Sequence, residues 1–423
     1  MKDFRAILFL ALTCCTTTKI HKSIVTMESD HSDHIGLLVY DPVAKKEVVS
    51  YHADKYFTPA SNTKILTLYT CLKVLGDSIP ALYYQQSGDS VIFWGTGDPT
   101  FLNPLLPENN VLDFLKSQQG DLYFSDANFY DERFGPGWAW DDYNYTFSSE
   151  KSPLPIYGNN LVVTKPENEP YLSLTPNYFK KYFWMGDSTE KAALDRTYDN
   201  NMFVYTPSKR KLDVTRPFKN TGLVTAQLLS DTLKRPVRYL NKTLPIQHEI
   251  YYGIVTDSIY KVMMQESDNF MAEQLLLTTA GVVSDSLKSD IAIEYMMNNY
   301  LMQMPDPPVW RDGSGLSRYN LVTPRSLVWL WEKILEEKPR EELFPLLATG
   351  GQSGTLKNYY RSNSPYIIGK TGTLSNVHNL SGFLITRSGK LFIFSFMNNN
   401  YPTSSAPIKM KMEQILWDIH LKY

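Results

Sequence analysis

Short apolar runs at strand spacing open and close this chain, and longer runs at helical spacing lie between them. Ile35-Gly-Leu-Leu-Val-Tyr40 and Glu47-Val-Val-Ser-Tyr51 read as two strands joined by a turn at Asp41-Pro42. Thr58-Pro59-Ala60 then leads into a helix whose apolar positions are Ile65, Leu68, Tyr69, Leu72 and Leu75, with Gly76 as its stop. From about residue 80 to about 250 the texture becomes rich in Tyr, Phe, Trp, Pro and Asn. Short strand-like runs such as Val91-Ile-Phe-Trp94 alternate there with loop signals at Gly97-Asp98-Pro99 and Gly135-Pro136-Gly137. One helix is expected in this stretch, from Gly222 to Leu233. Helical patterning returns from Ile254 to Gly281, interrupted at Glu266-Ser-Asp-Asn269, and again from Ser326 to Glu337. Gly382 to Arg387 and Lys390 to Met397, joined at Ser388-Gly389, form a β-hairpin pattern, and a closing helix over Ile408–Leu421 would cover one sheet face.

The predicted fold is therefore mixed α/β (α+β). A domain made of residues 20–80 and 252–423 is split by a β-rich insertion over residues 81–251. With 423 residues and 43% hydrophobic content the chain can bury a large core. A formal net charge of -2 with no basic block leaves no footprint for nucleic acid. Lys2 and Arg5 followed by the apolar run Ala6–Leu12 resemble an export signal over residues 1–15, too short for a permanent membrane span. Leu12-Thr13-Cys14-Cys15 resembles a lipoprotein cleavage site with Cys15 as the lipidated residue, although Cys14 departs from the usual small residue; the alternative is plain cleavage. No other segment reads as transmembrane. Only Cys71 lies beyond this leader, so a mature chain has no internal disulfide.

Three strings carry chemistry. Ser61-Asn-Thr-Lys64, at a helix start, puts a hydroxyl and an amine on one face, one turn apart. A lysine that is neutral can take the proton of a serine, and burial or a second cation favours that neutral form. Four other serine–lysine pairs have the same spacing: Ser148/Lys151, Ser188/Lys191, Ser208/Lys211 and Ser258/Lys261. Ser61 stands apart because it follows Pro59-Ala60 and precedes apolar helical periodicity. Ser267-Asp268-Asn269 can be a helix cap, or a hydroxyl proton relay with an amide that binds a carbonyl. Lys370-Thr371-Gly372, followed by Thr373, lies in a strand. There the lysine charge and the threonine hydroxyls can hold a carboxylate, and the glycine marks close approach of a ligand or another backbone.

Competing catalytic sets are missing. No Gly-x-Ser-x-Gly elbow and no His-Glu-x-x-His occurs, and two leader cysteines plus Cys71 exclude a cysteine zinc site. The seven histidines read as surface or core residues rather than catalysts, and no metal or cofactor is expected.

These strings, in this order, resemble those of the penicillin-binding-protein and serine β-lactamase superfamily. More narrowly the chain is similar to the D-alanyl-D-alanine carboxypeptidase/endopeptidases, the low-molecular-mass class C penicillin-binding proteins of peptidase family S13. The 206 positions from Ser61 to Ser267 fit that group, as do Gly97-Asp-Pro-Thr100, Pro136-Gly-Trp-Ala-Trp-Asp-Asp142, Asp312-Gly-Ser-Gly-Leu-Ser-Arg318 and Asn379-Leu-Ser-Gly-Phe383. The resemblance implies a transpeptidase-like domain with an antiparallel sheet flanked by helices. It implies a periplasmic enzyme acting on peptidoglycan stem peptides and acylated by β-lactams, needing no cofactor. Ser61 would be the nucleophile, Lys64 its base and Ser267 the proton relay to the leaving amine. Asn269 would hold the peptide, and Lys370, Thr371, Gly372 and Thr373 the carboxylate strand, with the Ser61 and Thr373 N–H groups as oxyanion hole. A subsite for the diaminopimelate side chain would fall on Asp142 (or Asp141), Arg318 and Ser375. The stretch from Lys165 to Thr206 is shorter than the nested domain usual in this group. A β-lactamase or esterase of the same superfamily, and a catalytically silent wall-binding or β-lactam-sensing protein, are the alternatives.

Overall fold

The computed structural model describes residues 18–106 and 110–423. The leader reading, including Cys15, falls outside the described residues. Two compact units emerge. The first comprises the chain up to Lys73, Tyr260–Asp268 and Met296–Tyr423; the second comprises Val74–Ile259 and Asn269–Tyr295.

In the first unit the elements are α1 (18–31), β1 (His34–Asp41), β2 (Lys46–Tyr51), α2 (Lys64–Val74), α3 (Pro324–Glu337), β3 (Ala348–Thr349), β4 (Ile367–Leu374), β5 (Val377–Ile385), β6 (Leu391–Asn399) and α4 (Ser405–Lys422). The strands form one six-stranded sheet in the order β3-β4-β5-β6-β1-β2, antiparallel throughout. The hairpin read from the sequence is β5–β6, paired from Val377↔Asn399 to Ile385↔Leu391. β5 and β6 are buried along almost their whole length, which requires cover on both faces and explains their unbroken apolar character. On one face Ile20, Ile24 and Met27 of α1 join Ile408, Met412, Ile415 and Leu416 of α4 in a core with Leu37, Leu380 and Phe394. On the other face α3 brings the buried Trp331, whose Nε1 donates to Ser381 Oγ at 2.9 Å. The α3 N-terminus is set by Thr323, whose hydroxyl accepts from Ser326 N, with Pro324 in the first turn.

The second unit carries a five-stranded sheet ordered Val237–Tyr239, Asp121–Ser125, Ser90–Gly95, Ser78–Ser87, Glu249–Val255, plus two three-stranded sheets. The expected helix is present as Gly222–Leu233, capped by Thr221. A second one, Asn110–Ser117, was not expected; it is only about two turns long and buries just Val111 and Leu115. Between Lys165 and Thr206 the chain forms small strands at Ser173–Thr175, Phe183–Met185, Ala193–Arg196 and Phe203–Thr206, packed around Phe179, Leu194 and Phe203.

The helix Asn269–Ser284 belongs to this second unit. Its buried Gln274 donates to the Gly97 and Ser152 carbonyls, both at 2.8 Å, and accepts from Ser152 N. Gly97 lies against the same helix, since a Cβ there would sit 3.0 Å from Thr278 Oγ1. Asp98 turns inward onto Thr100, which donates to it through both its N–H and its hydroxyl; burial raises the Asp98 carboxyl to about 7. No helix among the described residues is long and apolar enough to cross a membrane.

Candidate active site

The nucleophile candidate sits on a strained turn. Residues Ala60–Thr63 form a 3-10 turn that runs directly into α2, so the helix proper begins three residues after Ser61. Ala60 has φ +49, a conformation that costs about 1–3 kcal/mol in a non-glycine residue and persists only where its surroundings enforce it. Three neighbours do so. Asn379 donates to the Thr58 and Pro59 carbonyls, both at 2.9 Å, and accepts from Asn398 N. Gly315, at φ +83, leaves no room for a side chain: a Cβ would lie 1.8 Å from Ala60 O. Gly372 of β4 presses from another side, where a Cβ would lie 2.3 Å from Pro59 O. The strand-interior glycine thus marks close approach of another backbone.

Lys64, fully buried, donates from Nζ to Ser61 Oγ at 3.0 Å and to the Ser314 carbonyl at 2.8 Å. That carbonyl belongs to a loop folded around Asp312, which accepts from Gly315 N at 2.8 Å, Ser317 N at 2.6 Å and Asn320 Nδ2 at 2.7 Å.

Lys370, also fully buried, donates to Ser267 Oγ at 2.7 Å and to the Thr371 carbonyl at 2.8 Å. Ser267 stands in the break between the helices Thr256–Gln265 and Asn269–Ser284, with φ +61. Burial, then the charge of Lys64, pushes the Lys370 amine well below the usual lysine range.

Thr371 Oγ1 donates to Thr355 Oγ1 at 2.8 Å, and Thr373 Oγ1 shares a 2.8 Å hydrogen bond with His378 Nδ1. Burial and the Lys409 charge hold His378 down to about 3, so its ring is neutral. Ser61, Ser267, Thr371 and Thr373 line a single cavity of about 330 Å³ together with Thr355, Leu356, Tyr359, Tyr360, His378 and Lys409. The two lysines sit behind its wall.

The sequence of residues 18–236 and 256–418 matches the model of the D-Ala-D-Ala carboxypeptidase 3 (S13) family. The chain belongs to that family. It is similar to the D-alanyl-D-alanine carboxypeptidase DacB of Haemophilus influenzae, 24% identical over 96% of this chain and 93% of the relative. It is also similar to the D-alanyl-D-alanine carboxypeptidase of Actinomadura, 24% identical over 89% of this chain and 79% of the relative. In fold it resembles the crystal structure of penicillin binding protein 4 (dacB) from H. influenzae, with a TM-score of 0.76, 22% identity, and coverage of 92% of this chain and 97% of that one.

Other S13-like positions fall where their surroundings can be described. Arg318, exposed, donates from Nη2 to the Ser375 carbonyl at 3.1 Å, which brings these two subsite candidates together. Asn269 and Asp142 belong to the second unit. Asn269 Nδ2 donates to Phe147 O at 3.0 Å. Asp142, in the turn Trp140–Asn144, has its carboxyl raised by partial burial and by Asp141. Of the look-alike pairs, Lys151 is bound to Asp131 at 2.9 Å rather than to a serine of its own string, and Ser188 and Ser208 donate to the carbonyls of Pro207 and Glu190.

Sequence reasoning missed Thr355, Tyr359, His378 and Lys409 as cavity residues. Their positions depend on tertiary packing across the 350–360 loop, β5 and α4, and no local signal precedes them. Asn379 and Ser314 lay in stretches already marked as family-like, and their roles as grips on the nucleophile turn and on Lys64 follow only from the fold.

Proposed function

We propose that this chain is a serine-type D-Ala-D-Ala carboxypeptidase acting on peptidoglycan stem peptides through an acyl-enzyme at Ser61. The observation that carries this reading is the pair of amine–hydroxyl contacts, Lys64 to Ser61 and Lys370 to Ser267, at one cavity wall. Lys64, whose Nζ lies 3.0 Å from Ser61 Oγ, takes the Ser61 proton as Oγ attacks the penultimate D-alanine carbonyl. The oxyanion that develops is held by the N–H groups of Ser61 and Thr373. Ser267, hydrogen-bonded to Lys370, relays a proton to the leaving D-alanine amine. Lys370, Thr371, Gly372 and Thr373 make up the strand that holds the terminal carboxylate, and Asn269 holds the peptide. Water then hydrolyses the ester. Asp142, Arg318 and Ser375 form the diaminopimelate subsite. β-Lactams acylate the same Ser61. Cleavage of cross-links, an endopeptidase activity, uses the same bond chemistry with a larger leaving amine. Export to the periplasm, with either anchoring through Cys15 or plain cleavage of the leader, is part of the same reading; the family membership supports its peptidase part.

The test is incubation of the purified protein with a fluorescent penicillin and, separately, with peptides ending in D-Ala-D-Ala. A stable penicilloyl adduct and free D-alanine are expected, both absent in Ser61→Ala. Labelling that persists in Ser61→Ala refutes the assignment, and rapid penicillin turnover favours a β-lactamase instead.

A further inference from the structure

Four of the seven histidines lie between residues 21 and 52 and are unused by the chemistry above. Two of them converge with an acid. A ring nitrogen of His34, a ring nitrogen of His52 and a carboxylate oxygen of Glu28 all lie within 4.8 Å of one another. Among the described residues no other group of three or more histidine, cysteine or acidic side chains meets that spacing. The three come from different elements: Glu28 from α1, His34 from the start of β1, and His52 from the end of β2.

Each side chain is held in place. Glu28 Oε1 accepts from Ile35 N at 3.2 Å, and Oε2 accepts from the Tyr51 hydroxyl. His52 Nδ1 lies 3.1 Å from the Ile35 carbonyl and 3.7 Å from Glu28 Oε1. The His34 ring stacks on Phe57 with centroids 4.3 Å apart. His52 itself has φ +44, a conformation a non-glycine residue keeps only under constraint. All three side chains are half-buried, so solvent reaches the cluster. In the adjoining segment His31 Nε2 and Asp33 Oδ1 are buried without hydrogen-bond partners.

We propose that Glu28, His34 and His52 bind a zinc-type divalent transition-metal ion that ties α1 to the β1–β2 hairpin. Two imidazoles and a carboxylate, with an open fourth position for water, are a donor set that zinc takes. Ligands at about 2.0–2.1 Å around a tetrahedral ion stand about 3.3–3.4 Å apart, so the site closes by side-chain shifts of about 1 Å. The bonds from Ile35 N and Tyr51 to the carboxylate supply the outer support that metal ligands usually have. The ion would fasten α1 to the edge of the sheet, and none of its three ligands lines the Ser61 cavity.

The experiment uses the full chain without a histidine tag, stripped with chelator and titrated with ZnCl2 by calorimetry, with bound metal counted by mass spectrometry. One zinc per chain and a raised melting temperature are expected. His34→Ala and His52→Ala should each weaken binding by more than about 100-fold, and Tyr51→Phe by about 10–100-fold. Penicillin labelling of Ser61 should be unchanged in all of them, which also reports that each variant is folded. Cobalt in place of zinc should give the intense visible bands of a four-coordinate ion in the wild type. No saturable binding, binding that survives loss of His34 and His52, or the weak spectrum of a six-coordinate cobalt overturns the proposal.

Discussion

Gly372→Ala isolates the placement of the nucleophile from every catalytic side chain. The added Cβ would lie 2.3 Å from Pro59 O and 2.9 Å from Asn62 N, both backbone atoms of the Ser61 turn. Ordinary contact begins at 3.4 Å, so strand and turn must separate by 3.4 − 2.3 = 1.1 Å. The turn has nowhere to retreat, because Gly315 packs its Cα against Ala60 O and Asn379 ties down Thr58 and Pro59. Gly372 has no positive φ, so backbone strain adds nothing. Displacing a reacting group by about 1 Å costs about 100-fold in rate, or about 2.7 kcal/mol of barrier. Overpacking costs about 1–3 kcal/mol of stability, which a domain stable by about 5–15 kcal/mol survives. The assay is the second-order rate of fluorescent-penicillin labelling alongside a thermal melt, with Gly76→Ala as control because a Cβ there meets nothing within 4 Å. A variant that acylates within about threefold of wild type refutes the argument that this contact positions Ser61.

Lys370→Met should flatten a pH slope in stability. Between the lowered native pKa and 10.5 the unfolded chain binds a proton that the native amine has released, so wild-type stability rises with pH there, by up to about 1.4 kcal/mol per unit; urea melts of both proteins from about pH 7 to about pH 9 that run parallel would contradict this. Asn379→Ala strands the Asn398 N–H and leaves the Thr58 and Pro59 carbonyls only Asn399 Nδ2 and Asn62 N, and should cost about 1–3 kcal/mol in denaturant melts, together with slowed acylation; an unchanged labelling rate would remove Asn379 from the positioning of the turn. Arg318→Gln should raise KM about tenfold for a diaminopimelate stem peptide and leave a lysine peptide unaffected, and equal effects on both would remove Arg318 from side-chain recognition.

Much of the fold was legible where information is local. The helices Gly222–Leu233, Pro324–Glu337 and Ser405–Lys422 have long periodic faces, and the β5–β6 hairpin has its turn signal at Ser388-Gly389. Asn110–Ser117 was too short to register. Asn269–Ser284 is buried along Phe270–Gly281, so its periodicity could not reveal which unit it joins; Gln274 decides that through two carbonyls that no pattern announces. At the site, Ser61 and Lys64 could be read together because one helical turn fixes their separation. Ser267 and Lys370 stand 103 positions apart, and only the order of strings paired them. Glu28, His34 and His52 have no motif spacing at all, which is why no metal was expected there.

The turn that carries Ser61 is clasped by Gly315, Gly372 and Asn379, each more than 250 positions further along the chain. An amino-terminal fragment therefore contains Ser61 and Lys64 yet has no means of holding them in register. The geometry around Ser61 is complete only once the last strands have been made and docked. On the proposed role of Ser61, a chain still being synthesised is chemically inert, and penicillin labelling would serve as a stopwatch for the final closure of the sheet.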